Sequence, residues 1–293
     1  MSTFRLIEAE RARFSVPLMC RILGGSRSGY YAWKNRAPSA RAKAEAALTE
    51  QIKHLHRRSR GTYGAPRIHA ELRFEGIRCG TKRVARLIRA AGIRGCCRGR
   101  KKHTTIRKLQ QMLTVPDLVE RQFTPAAPDR LWVANITYLR SWEGWLYLAF
   151  VLDAYSRRVV GWSMANSLRT EIVIDALNMA LWRGEPDPGL IHHSDHGSQY
   201  ASVEFGKRIK AAGLLPSMGS VSDAYDNALA ESFVASLKTE LLYGRSWVSR
   251  ESVRVAVFEY IETFYNPRRR HSALGYLSPV EYEEVRMKEI AAA

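Results

Sequence analysis

The chain reads Ile191-His-His-Ser-Asp195 and, further on, Asp226-Asn-Ala-Leu-Ala-Glu-Ser-Phe-Val234, and its other segments are organised around the two carboxylates in these stretches. Asp195 follows a short apolar run that predicts a strand, and Glu231 lies in a segment with helical spacing. Between them lie 35 residues. Two carboxylates on distant elements are typical of a divalent-metal site, which needs a further ligand from elsewhere in the chain.

Three apolar runs upstream of Asp195 predict an antiparallel meander of strands. They are rich in β-branched and aromatic residues, and they span residues 131–139, 146–152 and 159–164. Residues 169–182 then show helical spacing, before the short strand that ends at Asp195. Further helices are expected at about residues 202–212 and 227–243. This order of elements predicts an α/β sandwich of the ribonuclease-H type.

The predicted fold indicates where a third metal ligand should lie. Phosphoryl transfer at nucleic-acid ends uses two Mg²⁺ ions about 3.5 to 4 Å apart, held by carboxylates on rigid elements. In this fold they come from the first strand, the end of the fourth strand and the following helix. Asp195 and Glu231 take the second and third places, and Asn135 stands at the first. Asparagine has the shape of aspartate without its charge.

Positive charge is concentrated in the first part of the chain. The net charge is +18, but residues 1–120 contain 27 Lys and Arg against 8 Asp and Glu, whereas residues 121–293 have a net charge of −1. Lys and Arg bind nucleic acids by neutralising phosphates. The asymmetry therefore favours a polyanion-binding region joined to a nearly neutral one over a merely soluble basic surface.

Two pairs of helices are predicted in the basic part, and the first lies in residues 16–35. It surrounds a turn at Gly24 and Gly25, with Pro17 in the first turn of one helix and Ser26 as the cap of the other. This length fits a small helix-turn-helix. Its aromatic residues are suited equally to packing the pair and to stacking on bases.

The second pair is the clearer candidate for DNA binding. Pro66 begins its first helix and Gly76 ends it, while Thr81 is expected to cap the second helix and Gly92 to close it. That second helix has one apolar face and a cationic arc, as in a recognition helix, although a solvated charged face is the alternative. The predicted DNA-binding residues of the chain are Arg67, Lys82, Arg83, Arg86, Arg89, Arg100, Lys101, Lys102, Lys238, Arg268 and Arg269.

Several of these cations belong to other segments. Residues 94–108 are too basic to form a core and are expected to follow a DNA backbone as an arm or linker. Lys238 lies seven residues after Glu231, so it either projects toward DNA from the same helix face or is a solvated lysine. The cluster at residues 268–271 either binds DNA or caps the fold. We predict a small helical region (1–50), a helix-turn-helix domain (51–97), a basic linker (98–130) and a catalytic core (131–285).

Composition and spacing argue against several other classes of protein. No apolar run reaches the roughly 20 residues of a membrane-spanning helix, and the first residues lack the apolar core of a secretory signal, so a cytoplasmic, nucleoid-associated protein is expected. The four cysteines lack Cys-x-x-Cys spacing and are interpreted as reduced thiols. The histidines around Asp195 lack the His-x-His spacing common in zinc hydrolases, although His196 could contact substrate or order Asp195. Asp153 could replace the missing ligand, but its turn sequence favours a structural role.

Seven motifs within residues 16–282 support a family resemblance. They are Gly61-Thr-Tyr-Gly-Ala-Pro-Arg-Ile68, Trp132-Val-Ala-Asn-Ile-Thr-Tyr138, Gly144-Trp-Leu-Tyr-Leu148, Asp153-Ala-Tyr-Ser-Arg-Arg-Val-Val-Gly-Trp162, His193-Ser-Asp-His-Gly-Ser-Gln-Tyr200, Asp226-Asn-Ala through Glu231-Ser-Phe233, and Tyr265-Asn-Pro-Arg-Arg-Arg-His-Ser-Ala-Leu-Gly-Tyr276. With these motifs the chain resembles the downstream-frame product (OrfB) of bacterial insertion sequences that encode their transposase in two overlapping frames. The catalytic core of that family is similar to the core of retroviral integrases.

The resemblance implies an Asp, Asp and Glu site with 35 residues between the last two, as between Asp195 and Glu231. The first acidic position aligns with Asn135, so an inactivating Asp-to-Asn change is the hypothesis: metal binding is weakened and chemistry stalls, while fold and DNA binding persist. These three residues are the implied ligands of a two-metal Mg²⁺ (or Mn²⁺) site. The implied reaction nicks the element's ends to expose 3′-hydroxyls, which then attack a phosphodiester directly.

The resemblance also implies partners. They are double-stranded DNA (terminal repeats and target), further copies of the chain in a dimer or larger multimer, and the upstream-frame product. That product is often fused and carries a further helix-turn-helix and a coiled coil, so terminal-repeat recognition by this chain alone is expected to be incomplete. Two alternatives remain open: a non-catalytic DNA-binding repressor of transposition, which Asn135 favours, and a ribonuclease-H-like nuclease that only hydrolyses.

Overall fold

The computed structural model describes residues 3–97, 115–120, 122–195, 197–219 and 228–292. The α-helices in this part are α1 (Thr3–Glu10), α2 (Val16–Ile22), α3 (Arg27–Lys34), α4 (Ala40–Arg58), α5 (Ala65–Phe74), α6 (Thr81–Ala90), α7 (Glu171–Gly184), α8 (Val203–Ala211), α9 (Ala228–Leu237), α10 (Arg250–Glu259) and α11 (Pro279–Ala291). The strands are β1 (Leu131–Ser141), β2 (Gly144–Asp153), β3 (Val159–Ala165), β4 (Ile191–Ser194) and β5 (Leu215–Met218). Short π-helical segments, Lys238–Leu242 and Tyr260–Tyr265, continue α9 and α10.

The first compact unit, Met1–His54, is helical. The predicted helix pair around the double-glycine turn is confirmed as α2 and α3, and the Ser26 side chain accepts the Gly29 N–H at 3.0 Å, as a cap should. Tyr30 is buried between the rings of Phe4 and Trp33 and donates its hydroxyl proton to Glu8. Tyr30 and Trp33 are therefore packing residues, and α1, which the sequence analysis did not predict, completes their pocket.

The second compact unit, Leu55–Ala293, begins with the predicted recognition pair, α5 and α6. Gly76 and Gly92 both have positive φ and end their helices as predicted. The prediction that Thr81 caps α6 is wrong, because Gly80 holds the N-cap position and Thr81 is the first helical residue. The apolar stripe of α6 is buried as expected, which leaves the cationic arc on the other side.

The sheet has the mixed topology of a ribonuclease-H-like fold. Its strand order is β3-β2-β1-β4-β5, with β2 antiparallel to both β1 and β3, β4 parallel to β1, and β5 parallel to β4. The predicted α/β fold class, with a helical N-terminal region, is confirmed. The sequence analysis missed β5, whose Leu-Pro-Ser-Met sequence includes Pro216. Proline is tolerated there because β5 is an edge strand.

Each face of the sheet is covered by helices. On one face Trp132 and Ala134 of β1 pack with residues of α7 and α8. On the opposite face Phe150 of β2 contacts Phe233 of α9 at 4.6 Å between ring centroids, and Phe233 contacts Tyr265 at 4.9 Å. Alternate residues of β1 therefore face different helices. None of the helices in the described ranges combines the length and apolar character needed to cross a membrane.

Buried ion pairs connect α5 to the segments that follow the sheet. Glu71 accepts a hydrogen bond from Nε of Arg270 at 2.9 Å, and both side chains are nearly inaccessible to solvent. Arg67 reaches Glu240 at 3.1 Å. Residues 55–97 thus belong to the same compact unit as the sheet. The four-segment division of the chain remains a prediction.

Candidate active site

Strand register places Asn135 beside Asp195. The parallel pairing of β1 and β4 ends with Ala134 opposite Ser194, so Asn135 and Asp195 are the next residues on neighbouring strands. Paired residues of adjacent strands point to the same side of a sheet. Continuing the register by one residue therefore assigns Asn135 and Asp195 to the same face and level of the sheet.

Glu231 lies in the first turn of α9, the helix that packs on this face. Asn135 is the register partner of Phe150, so the two side chains share a face, and the Phe150 ring packs on Phe233 of α9. Glu231 lies two residues before Phe233, about 200° from it around the helix, and its side chain is exposed. The structure thus places Asn135 on the face that α9 covers, and Glu231 at an exposed position of that helix.

The polar atoms of the site are oriented by local hydrogen bonds. The side-chain oxygen of Asn135 accepts the N–H of Ile136 at 2.6 Å. Oδ1 of Asp195 accepts the N–H of Gly197 at 3.1 Å. A Cβ at position 197 would lie 3.0 Å from this carboxylate oxygen, so glycine allows the turn to close against Asp195.

The donor set fits Mg²⁺ in type but is one charge short of three carboxylates. Asn135, Asp195 and Glu231 all offer oxygen, which hard cations prefer. Only two of the three are anionic. No cluster of three His, Cys, Asp or Glu side chains able to hold a metal ion occurs among the residues that the structure describes.

The histidines before Asp195 do not form a zinc site. His192 is fully buried against the rings of Tyr200 and Phe205, and burial lowers its pKa to about 4. His193, its neighbour in β4, points to the other face, where Nδ1 lies 2.9 Å from Oγ of Ser217. The two imidazoles therefore cannot bind one ion. His196 lies outside the described residues.

Asp153 has the structural role that its turn sequence predicted. Its carboxylate accepts the backbone N–H groups of Ser156 and Asp129, both at 2.8 Å, and the Ser156 hydroxyl at 3.1 Å. Burial raises the pKa of Asp153 to about 6, an effect that the hydrogen bonds to its carboxylate only partly offset. These bonds hold Asp153 at the end of β2, where the following turn begins.

The predicted DNA-binding cations differ in exposure. Lys82, Arg86 and Arg89 of α6 and Arg268 are exposed, and Arg83 is half-buried. Arg67 is half-buried through its ion pair with Glu240. Arg100, Lys101 and Lys102 lie outside the described residues. The exposed arc of α6 is therefore the best-supported DNA surface in the described part of the chain.

Arg269 is placed where it does not fit the predicted DNA contact. It is 4% exposed, and its guanidinium binds Glu240 through Nε and Nη2 at 2.8 and 2.6 Å. Burial alone would raise the pKa of Glu240, but the hydrogen bond from Arg269 and its charge outweigh burial and lower it. Arg269 therefore stabilises the fold, the other role considered for this cluster.

Lys238 marks a cleft that the sequence analysis missed. It begins the π-helical segment after α9, and its Nζ lies 4.7 Å from the ring centroid of Tyr138, where burial lowers the pKa of the lysine. The cleft has a volume of about 670 Å³ and extends along the turn between β1 and β2. The sequence analysis assigned no role to Trp142 or Trp145, the two tryptophans that line the cleft at this turn.

Sequence families match both parts of the chain. An integrase core domain family matches residues 125–224, a second integrase core domain family matches residues 231–287, and an HTH-like domain family matches residues 43–101. Among solved structures, the HTLV-2 integrase catalytic core domain in complex with magnesium (dimeric form) aligns with a TM-score of 0.41 and 16% identity, over 54% of this chain and 98% of that one.

Curated relatives match almost the whole chain. Transposase InsF for insertion sequence IS3A from Escherichia coli (strain K12) is 41% identical over 280 residues, which are 94% of this chain and 96% of the relative. A putative transposase for insertion sequence element IS986/IS6110 from Mycobacterium tuberculosis (strain CDC 1551 / Oshkosh) is 42% identical over 262 residues, 87% of this chain and 94% of the relative. The chain therefore belongs to the family of insertion-sequence transposases that includes InsF of IS3, with an HTH-like region followed by an integrase core.

Proposed function

We propose that this chain is the catalytic subunit of a transposase that nicks the ends of its insertion sequence and joins the resulting 3′-hydroxyls to target DNA. The observation that carries the proposal is the parallel pairing of β1 with β4, which sets Asn135 beside the position of Asp195 on the face that α9, the helix of Glu231, covers. The basic arc of α6 in the HTH-like region supplies a surface for DNA. A multimer that pairs two DNA ends, and an association with the upstream-frame product, belong to the same proposal.

In this proposal Asp195 and Glu231, with Asn135, would hold Mg²⁺ or Mn²⁺. Bound there, two such ions would activate the attacking oxygen and stabilise the leaving oxygen. The chain's own residues orient the DNA, because cations on α6 bind phosphates and position the strand without reading its sequence. The exposed carboxylates of Asp195 and Glu231 are reachable by a DNA strand lying across this face.

Asn135 lowers the activity of this copy in our proposal. An amide keeps an oxygen donor but removes one negative charge from the site, so divalent ions are bound more weakly. The surrounding β1 pairing does not depend on the charge of this side chain, so folding and DNA binding persist. This copy is therefore a transposase that assembles on DNA better than it cuts.

The test compares the chain with its Asn135→Asp variant on labelled terminal DNA of its element, with and without Mg²⁺. We expect the variant to gain metal-dependent joining by at least about 100-fold, since even residues that only support a metal ligand contribute 10- to 100-fold. Binding of Mn²⁺, measured by calorimetry, should tighten in the same variant. No gain in joining would overturn the role assigned to Asn135.

The same assay separates the alternative functions. Cutting without joining would indicate a nuclease, and binding without either reaction in both proteins would indicate a repressor of transposition. The missing charge at position 135 is the observation that favours the repressor for the unmodified chain. Asp195→Asn and Glu231→Gln, each combined with Asn135→Asp, should abolish the gained reaction.

A further inference from the structure

The cleft beside the β1–β2 turn has a lining of aromatic and cationic side chains. Three of its lining residues are cationic, Arg140, Lys238 and Arg245, and none is acidic. Its aromatic lining residues are Tyr138, Trp142, Trp145, Tyr243 and Trp247. Flat apolar rings next to positive charges match the two parts of a nucleotide, a base that stacks and a phosphate that is anionic.

Two of the rings are too exposed to be part of a core. Trp142 is 81% exposed and Tyr243 is 69% exposed. A neighbouring pair is arranged edge to face, Tyr138 with Trp145 at 5.3 Å between centroids. Large aromatic surfaces that remain in water commonly mark a binding site, because burying them on a ligand is favourable.

The turn that presents these rings is fixed before any ligand binds. The Trp142 N–H donates to the Trp247 carbonyl at 2.9 Å, and Nε of Arg250 donates to the Trp145 carbonyl at 3.1 Å. Gly144 has φ +115°, and a Cβ there would lie 2.8 Å from an Arg250 guanidinium nitrogen. A ligand therefore meets a largely pre-formed cleft, which lowers the entropic cost of binding.

The cations of the cleft lie over its rings. Nζ of Lys238 is 4.7 Å from the Tyr138 centroid, and the Arg140 guanidinium is 5.8 Å from that of Trp145. The indole Nε1 of Trp247 is buried and has no hydrogen-bond partner among the described residues.

We propose that this cleft binds an unstacked nucleotide of single-stranded DNA. The base stacks on Trp142, and the flanking phosphates contact Arg140, Lys238 and Arg245. The cleft volume of about 670 Å³ lies within the usual range for small-ligand sites. Tyr138 follows Asn135 by three strand residues, roughly 10 Å. The choice of DNA as the ligand rests on the proposed function.

The experiment measures binding without metal and without cleavage. A fluorescein-labelled oligothymidylate of about ten nucleotides, within the usual site sizes for single-strand binders, is compared with an abasic strand of the same length by anisotropy. Both strands carry the same phosphate charge, so a difference in affinity between them reports contacts with the bases. We test the chain, Trp142→Ala, Trp142→Phe, and Trp182→Ala as the control, since Trp182 is 80% exposed and lies on α7, away from the cleft.

The chain should prefer the thymidylate strand by about tenfold, the effect of one stacked base. Trp142→Ala should remove that preference and leave abasic binding unchanged, Trp142→Phe should keep most of it, and Trp182→Ala should change neither affinity. Equal losses on both strands, or a preference that survives Trp142→Ala, would overturn the proposal. A change in sedimentation of Trp142→Ala with the preference intact would instead assign the rings to a protein interface. Because the joining assay is separate, failure here leaves the proposed transposase reaction standing.

Discussion

At the candidate site a single side chain decides how much negative charge surrounds the metal position. Asn135 has the register and the face that a ligand on β1 requires. Asn135 was identifiable in the sequence because each of the three proposed ligands lies in a motif with a definite place in the predicted fold. The missing negative charge at position 135 is visible without a structure.

At Asp153 the important property is the pKa of the side chain, and it depends on burial in the folded protein and not on residue type alone. Its pKa is raised to about 6 from an ordinary value of 3.8, so the folded state favours the protonated form. The stability from this group is fully present below about pH 4 and is lost as the pH rises through about 6. The loss amounts to about 3 kcal/mol for a shift of this size.

We therefore predict that Asp153→Asn removes this pH dependence. The difference in unfolding free energy, variant minus parent, should increase by up to about 3 kcal/mol from pH 4 to pH 7. The altered hydrogen bonds of the variant add a cost that is the same at every pH and does not affect this increase. Urea denaturation at a series of pH values measures the difference. A difference that stays constant over this range would show that Asp153 is already ionised at pH 4 in the folded protein.

At the scale of elements, the first three strands and the helix pair α5–α6 were predictable from the sequence. The edge strand β5 and the π-helical segment after α9 were not. The first three strands follow from β-branched and aromatic runs, but β5 lacks alternation and contains Pro216. The π-helical segment at Lys238–Leu242 leaves no pattern in apolar spacing. Arg269 was assigned to DNA because sequence gives its charge, while its burial beside Glu240 depends on tertiary packing.

The contact between α7 and β3 gives a test of element packing. A Cβ at Gly161 would lie 2.1 Å from the carbonyl oxygen of Ala176 and 2.7 Å from the nitrogen of Ala180, both backbone atoms of α7. Gly161→Ala should therefore force the helix away and destabilise the protein by at least about 3 kcal/mol. Thermal unfolding of the purified variant measures this. Gly206→Ala, in α8 with open space at its Cβ, is the control and should be neutral or stabilising by about 0.5 to 1 kcal/mol.

The exposed arc of α6 gives a second test at this scale. Arg86→Gln combined with Arg89→Gln should weaken binding to any duplex and lower the slope of log affinity against log salt by about 2, because each phosphate contact contributes about 0.9. Lys207→Gln with Lys210→Gln, on exposed positions of α8, removes the same charge and should leave the slope nearly unchanged. Equal slopes for both double variants would mean that net charge, and not α6, governs binding.

At the scale of the whole molecule, the segment that leads into α5 makes direct contacts with residues that follow the sheet in the chain. Tyr63, between α4 and α5, donates its hydroxyl to the Arg268 carbonyl at 3.2 Å and accepts the Arg270 N–H at 2.7 Å. These contacts lie more than 200 residues apart in the chain. Residues 55–97 share one compact unit with the sheet.

Glu71→Gln tests whether this unit unfolds as a whole. Glu71 and Arg270 are each 7% exposed, and removing one charge leaves Arg270 with Glu281 as its remaining carboxylate partner, so we expect a loss of about 3 kcal/mol in unfolding free energy. Glu75→Gln is the matched control: its partner Arg58 is 44% exposed at the side chain, and the loss should stay below about 1 kcal/mol. Hydrogen exchange should show α5 and the segment around Arg270 losing protection together in Glu71→Gln, because the buried pair couples them. Faster exchange confined to α5 would contradict the coupling and would make the recognition helices a separately unfolding module.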